Sequence, residues 1–165
     1  MARIERKYMA HFLNASFGQG AGEASYERLG QDLEEYSAEM NAQVNTTNNI
    51  LGQKSITISS YDKSGSVAPD YADKDSPLFE TLQEIIDGDL VLDNLKTDIV
   101  EVHLWETEQT GAYPAVKEEC YIEIVSYRGD TTGYQIPFNV HYTGVKTKGT
   151  FNVASKTFTA ADSAG

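Results

Sequence analysis

One cysteine, four prolines and three histidines in 165 residues leave little room for several kinds of chemistry. A lone thiol, Cys120, makes neither an intramolecular bridge nor a four-cysteine metal knot, which excludes the disulfide-rich scaffolds of small secreted domains. His11, His103 and His141 have no i, i+4 partner and no pair at zinc-ligand spacing, so no zinc site is expected. Long apolar runs are missing as well. The longest purely aliphatic stretch is residues 90–92, far short of the ~20 residues that span a bilayer, and no membrane partner is expected. Arg3, Arg6 and Lys7 precede a mildly apolar stretch, residues 8–17, but His11, Asn14 and Ser16 interrupt it, so no export leader is expected. Bases are scarce: 13 against 25 acids give a net charge of −12 and a pI near 4.5. Such a chain is poorly suited to gripping nucleic-acid phosphates, which takes neutralising cations.

What is present is an ordinary globular balance, 40% hydrophobic and 23% charged, in a length that suits one domain over residues 1–165. A chain of this size buries about 68–70% of its unfolded surface. The acidity is concentrated: residues 1–22 carry three bases and one acid, residues 23–108 carry five bases and nineteen acids, and residues 109–165 balance. A solvated acidic face explains that split, and so does a surface built to repel something anionic.

Periodicity points to strands. Tyr36, Ala38 and Met40 alternate with polar residues over 33–40, and Ile56 and Ile58 do so over 54–61, which predicts two half-buried strands. Further strands are predicted over 98–106 (Val100, Val102, Leu104 on one face), 117–127 (Cys120, Ile122, Ile124) and 134–142. Pro137 confines the last to an edge or a bulge. Shorter strands close the chain near 149–153 and 156–159. One helix is predicted over 77–87. Ser76 caps it, Pro77 takes the first helical position, Leu78, Phe79, Leu82, Ile85 and Ile86 form one stripe, and Gly88 ends it. A helix of ~16 Å is marginal alone, so the stripe must lie on a sheet. The expected fold is mainly β, a sandwich or barrel with one flanking α-helix.

Two stretches depart from this pattern. Residues 41–53, read as a long inter-strand loop, contain no charge and include Ile50 and Leu51, aliphatic residues with no local core to enter. A mobile tip and a protein-contact loop both fit, since uncharged polar groups can be buried against a partner without desolvating ions. Residues 61–75 read as a long acidic surface connection. Catalytic motifs are sparse. Cys120 shares an apolar strand face, which suits a structural thiol. Asp70, Asp73 and Asp75, and Asp87 with Asp89, fail the twelve-residue calcium-loop pattern. Gly18, Gly20 and Gly22 lack the strand and helix of a dinucleotide site, and Glu119 and Glu123 read more simply as a wet strand face than as glycosidase carboxylates. No enzyme and no cofactor are expected.

Several phrases carry a resemblance: Tyr61-Asp62-Lys63-Ser64-Gly65-Ser66, Ser76-Pro77-Leu78-Phe79, Gly129-Asp130-Thr131-Thr132-Gly133-Tyr134-Gln135-Ile136-Pro137-Phe138-Asn139-Val140, and Gly149-Thr150-Phe151 with Thr157-Phe158-Thr159. Over most of residues 25–160 the chain resembles the major tail tube proteins of long-tailed phages of Gram-positive bacteria. The resemblance implies a β-sandwich with a flanking helix, an N-terminal arm (1–24) and a flexible C-terminus (160–165). It implies a virion structural protein, assembled in the host cytoplasm, whose hexameric rings stack head to tail around the DNA channel. Implied partners are other copies, a tape measure protein, a tail terminator and DNA in transit without specific binding. By position, residues 41–53 would be the inter-ring loop, with Asn41, Val44, Thr46, Asn48, Asn49, Ile50 and Leu51 in contact. Glu35, Ser37, Glu39, Ser55, Thr57, Glu119 and Glu123 would line the channel, where acid rings repel phosphates. Two rivals stand beside it: a monomeric carbohydrate-binding β-sandwich using tyrosines and Trp105 as stacking platforms, and a glycosidase with two positioned carboxylates.

Overall fold

The computed structural model describes residues 2–18, 24–29, 36–68, 71–106 and 111–161. The protein is mainly β, with a single α-helix among those residues. In chain order the strands are β1 (Met9–Asn14), β2 (Tyr26–Arg28), β3 (Ala38–Glu39), β4 (Ala42–Asn48), β5 (Lys54–Tyr61) and β6 (Ser64–Val67). After the helix α1 (Pro77–Gly88) come β7 (Lys96–His103), β8 (Ala112–Ile124), β9 (Arg128–Asp130), β10 (Gly133–Gln135), β11 (Phe138–Asn152) and β12 (Thr157–Ala160). Eight strands make one curled antiparallel sheet, a half-barrel ordered β2-β1-β7-β8-β11-β6-β3, with β12 on the distal half of β11. Among the described residues β4 pairs only with β5, and β9 only with β10. No described helix is long and apolar enough to cross a membrane.

The sheet carries a core on each face, and β1 is buried on both. On one face Leu13, Ile99, Cys120, Ile122, Phe138 and Val140 pack with Leu78 and Leu82 of α1; on the other Ala10, Phe12, Val100, Val102, Ala115 and Phe151 pack with Tyr26. Double burial erases the alternation that marks a half-buried strand. That is why β1 carries no strand signal in the stretch expected to be an N-terminal arm: five of its six residues are buried, His11 and Asn14 among them. α1 forms as expected. The Ser76 hydroxyl accepts from the Phe79 amide at 3.4 Å, Pro77 opens the helix, and Leu78, Leu82 and Ile85 are buried. It stops at Asp89, whose left-handed φ of 49° caps it one residue beyond the expected Gly88.

Other expectations need correction. Residues 134–142 are two strands, not one: β10 and β11 are separated at Ile136 and Pro137, because proline has no amide to continue a ladder. β8 starts earlier than expected and holds Pro114, which lies just past the last β7–β8 pair, Val102 with Ala115. The connection at 61–75 contains β6, whose Val67 is fully buried and pairs with Phe138. Of the strand expected at 33–40, residues 33–35 lie outside the described residues; Tyr36 is buried, only Ala38–Glu39 pair, and Met40 is exposed. At the chain end, Ala160 closes β12 and the Ala161 amide donates to the Lys148 carbonyl, while residues 162–165 lie outside the described ones.

Candidate functional site

The largest departure from expectation is at residues 41–61. Most of the stretch read as a loop is strand, and the strand expected to be half-buried at 54–61 is exposed along its whole length. β4 and β5 form a hairpin whose chain emerges from β3 and returns into β6. Eight residues at ~3.3 Å each give it a reach of about 25 Å. Its faces differ. Val44 opposes Ile58 and Thr46 opposes Ile56 on one; Asn45 opposes Thr57 and Thr47 opposes Ser55 on the other. The tip is closed by hydrogen bonds. The Asn49 carboxamide oxygen accepts from the amides of Leu51 (2.9 Å) and Gln53 (3.0 Å), its nitrogen donates to Gln53 Oε1 (2.8 Å), and Gly52 takes φ 77°. The root is pinned by Asn41, at φ 47°, whose side-chain nitrogen donates to the Asp62 carbonyl (3.0 Å) and Ser64 Oγ (3.2 Å).

Two properties of this ribbon are costly in an isolated chain. A two-stranded hairpin is at best marginally stable in water, and this one leaves Val44, Ile56 and Ile58 uncovered with Ile50 and Leu51 at 102% and 76% exposure. Among the described residues both long edges are unpaired, and β4 carries no charge and no proline to deter another strand; the bulge between Gln43 and Val44 is its sole irregularity. The expected contact residues Val44, Thr46, Asn48, Asn49, Ile50 and Leu51 all lie on this arm, with Asn41 at its root.

The residues expected to line a channel divide into groups. Cross-strand pairs run Glu39–Ser64–His141–Tyr121–Lys96 and, two residues along, Ser66–Asn139–Glu123, so Glu39 and Glu123 share one face of the curled sheet. Glu119, opposite Asp98, is on that face too. It is polar throughout this region. Glu123 accepts from Asn139 Nδ2 (3.2 Å) and meets His141 Nε2 at 2.8 Å, contacts that hold its carboxyl below the usual range. Lys96 approaches Glu119 at 3.5 Å. Ser55 and Thr57 are instead on the polar face of the hairpin, Ser37 is exposed just before β3, and Glu35 lies outside the described residues.

The opposite face holds a polar cluster that linear spacing does not reveal, because its members come from six separate segments. His11 opposes Glu101 across β1–β7, and His103 follows on the same side; the two ring Nε2 atoms lie 3.8 and 3.4 Å from the Glu101 carboxylate. Lys63 Nζ donates to Glu118 Oε1 at 2.9 Å and sits 4.5 Å from the Tyr142 ring. The Tyr36 and Tyr142 hydroxyls are 2.7 Å apart, and the Tyr36 ring meets His11 edge-on. All of these groups except Tyr36 border a cavity of about 240 Å³. Burial, partly opposed by Glu101, lowers the His11 pKa to about 4, so this imidazole is neutral at pH 7; burial raises the Tyr36 hydroxyl to about 12.

No buried side-chain nitrogen or oxygen among the described residues lacks a partner, and no group of three or more His, Cys, Asp or Glu is arranged to hold a metal ion. The cluster therefore stands as a satisfied polar core. Cys120 is fully buried, and desolvation raises its thiol pKa, which disfavours the reactive thiolate. Trp105 has one ring face stacked on His103 at 4.5 Å, which removes that face as a sugar platform. The chain matches no protein-family model and no curated protein.

Proposed function

We propose that this protein is a structural, ring-forming subunit of a phage-type tail tube, with the β4–β5 hairpin joining neighbouring copies and the polar sheet face bearing Glu39, Glu119 and Glu123 turned to the channel. One observation carries the reading: a hairpin stiffened at root and tip, with an apolar face and two unpaired edges that nothing among the described residues covers. Another copy of the chain supplies what it needs, strand edges to pair with and apolar surface to exclude water from Val44, Ile56 and Ile58. The acids suit a conduit. Duplex DNA carries one charge per ~1.7 Å, so repeated carboxylates along a wall suppress adhesion and let it slide.

Negative-stain microscopy of the concentrated protein tests this directly: hollow tubes of constant diameter are expected. A Val44→Asp/Ile58→Asp variant should stay folded and form none. Glu39→Lys/Glu123→Lys tubes should retain DNA at low salt where wild-type tubes do not. A wild-type protein that stays monomeric at every concentration, or a hairpin variant that forms normal tubes, would falsify the proposal.

A further inference from the structure

The two ends of the β1–β7 strand pair carry surfaces of opposite charge around exposed apolar residues. At one end, where Met9 opposes His103, the 3-10 turn Arg6–Tyr8 leads into β1. Ile4 (57% exposed) and Tyr8 stand out among Arg3, Arg6 and Lys7; Glu5, which meets Lys7 at 2.9 Å, is the one acid within the segment, and Glu106, 3.5 Å from His103, follows β7 at the same end. The turn is fixed by the Leu104 amide donating to the Tyr8 carbonyl (2.8 Å) and by the Arg6 guanidinium on the Met9 and Tyr36 carbonyls. Arg28 adds a further cation by donating to the Lys7 carbonyl at 3.3 Å. The other end lies about 23 Å away along β7 at ~3.3 Å per residue. There the 3-10 turn Leu92–Leu95 enters β7 from the end of α1.

At that far end Val91 and Leu92 are 60% and 79% exposed, and Leu92 holds φ 58°, a left-handed conformation that L side chains disfavour. Asn94 fixes the turn through its amide (3.3 Å) and side-chain nitrogen (3.2 Å) on the Val91 carbonyl. Asp87, Asp89 and Asp93 surround it, all exposed, and no ion pair among the described residues includes them. Asp87 and Asp89 also stand at the C-terminal end of α1, where the helix dipole disfavours negative charge and a cation is the fitting neighbour.

We propose that these are matching halves of a head-to-tail contact between copies of this chain, Val91 and Leu92 of one meeting Ile4 and Tyr8 of the next, with the aspartates against Arg3, Arg6 and Lys7. The occupant is a second copy because the complementary surface, apolar residues ringed by the opposite charge, is present on the same molecule at the opposite end of the same strands. Contact between different patches is heterologous, so it propagates along the strand direction until it closes a ring or extends a filament. The contact goes beyond the tube reading, since it needs neither the hairpin nor a channel.

Sedimentation velocity on the full chain tests it. Association is expected at 50 mM NaCl and should be about tenfold weaker at 500 mM, where the Debye length is short. Arg3→Glu/Lys7→Glu and Asp87→Lys/Asp93→Lys, each folded by circular dichroism, should each lose self-association, and an equimolar mixture should recover it because each variant then offers the other an attractive end. The hairpin variant Val44→Asp/Ile58→Asp should keep the salt-sensitive association even with tubes lost. Three results overturn the contact: wild type monomeric at low salt, charge variants that associate normally, or a mixture without recovery. Loss of the salt-sensitive association in the hairpin variant also overturns it, assigning the association to the arm and leaving the tube reading intact.

Discussion

Val140 and Val44 both sit in antiparallel strands of one chain, paired residue for residue, yet Val140 is wholly buried and Val44 is 55% exposed. The sheet and the hairpin therefore have the same hydrogen-bonding pattern and opposite energetics. Backbone pairing contributes little net stability because water offers equivalent partners; removing apolar surface from water contributes most. In the half-barrel each central strand buries at least one face. In the hairpin neither face is covered. Strand pairing alone therefore does not settle where a segment contributes stability; burial does.

The sharpest way to test this contrast is to delete equivalent mass from both regions. Phe138→Ala empties a site at the centre of the larger core cluster, and unfolding by denaturant should show a loss of about 3–5 kcal/mol with unchanged m-value. A loss under ~1 kcal/mol would move the stability centre elsewhere.

Acid should act on the sheet through His11. Its folded pKa of about 4 lies below the ordinary 6.5, so between those values the unfolded chain binds more protons, and stability rises with pH. This contribution is fully present above pH 6.5 and is lost as pH falls through 4, about 3 kcal/mol in all by the pKa difference. Denaturant midpoints measured across that window should fall with acid in the wild type and flatten in His11→Phe. Equal slopes in the two proteins would assign the acid response to other groups.

Gly65→Ala should come next in size. A Cβ there would stand 2.5–3.0 Å from the Tyr36 hydroxyl and ring, which cross the β6 backbone to reach Tyr142, so overpacking of about 1–3 kcal/mol is expected. A melting temperature equal to wild type would mean that Tyr36 moves aside at no cost. The smallest effect belongs to the hairpin: Ile56→Ala should shift monomer stability by no more than ~0.5 kcal/mol, since the side chain is already wet. Assembly, by the proposed function, should suffer while the melt does not, and a destabilised monomer would show that the arm folds back onto its own sheet.

The helix was legible because its signals are local: a serine cap, a proline at the first position and a stripe at helical spacing fall within twelve residues. The faces of β7 and β8 were legible for the same reason. Val100, Val102 and Leu104 do share one side, as do Cys120, Ile122 and Ile124. β1 was not, since a strand buried on both faces shows no period of two. Residues 41–53 failed in the opposite direction: a strand of Asn, Gln and Thr facing water imitates a loop, and Val44 alone does not set a period.

What the chain carries on its face is its β character, its one α-helix and the separation of charge, because each depends on neighbours within a turn or a pleat. Packing decided which strands are covered, where the ladders end and which distant residues meet. His11, Glu101, Glu118 and Tyr142 meet Lys63 because β1, β7, β8 and β11 are neighbours in the sheet, and the antiparallel pairing of β1 with β7 places the basic turn and the acidic turn at opposite ends of one strand pair. Curvature and register arise from contacts between segments far apart in the chain, and spacing along the chain holds no record of them.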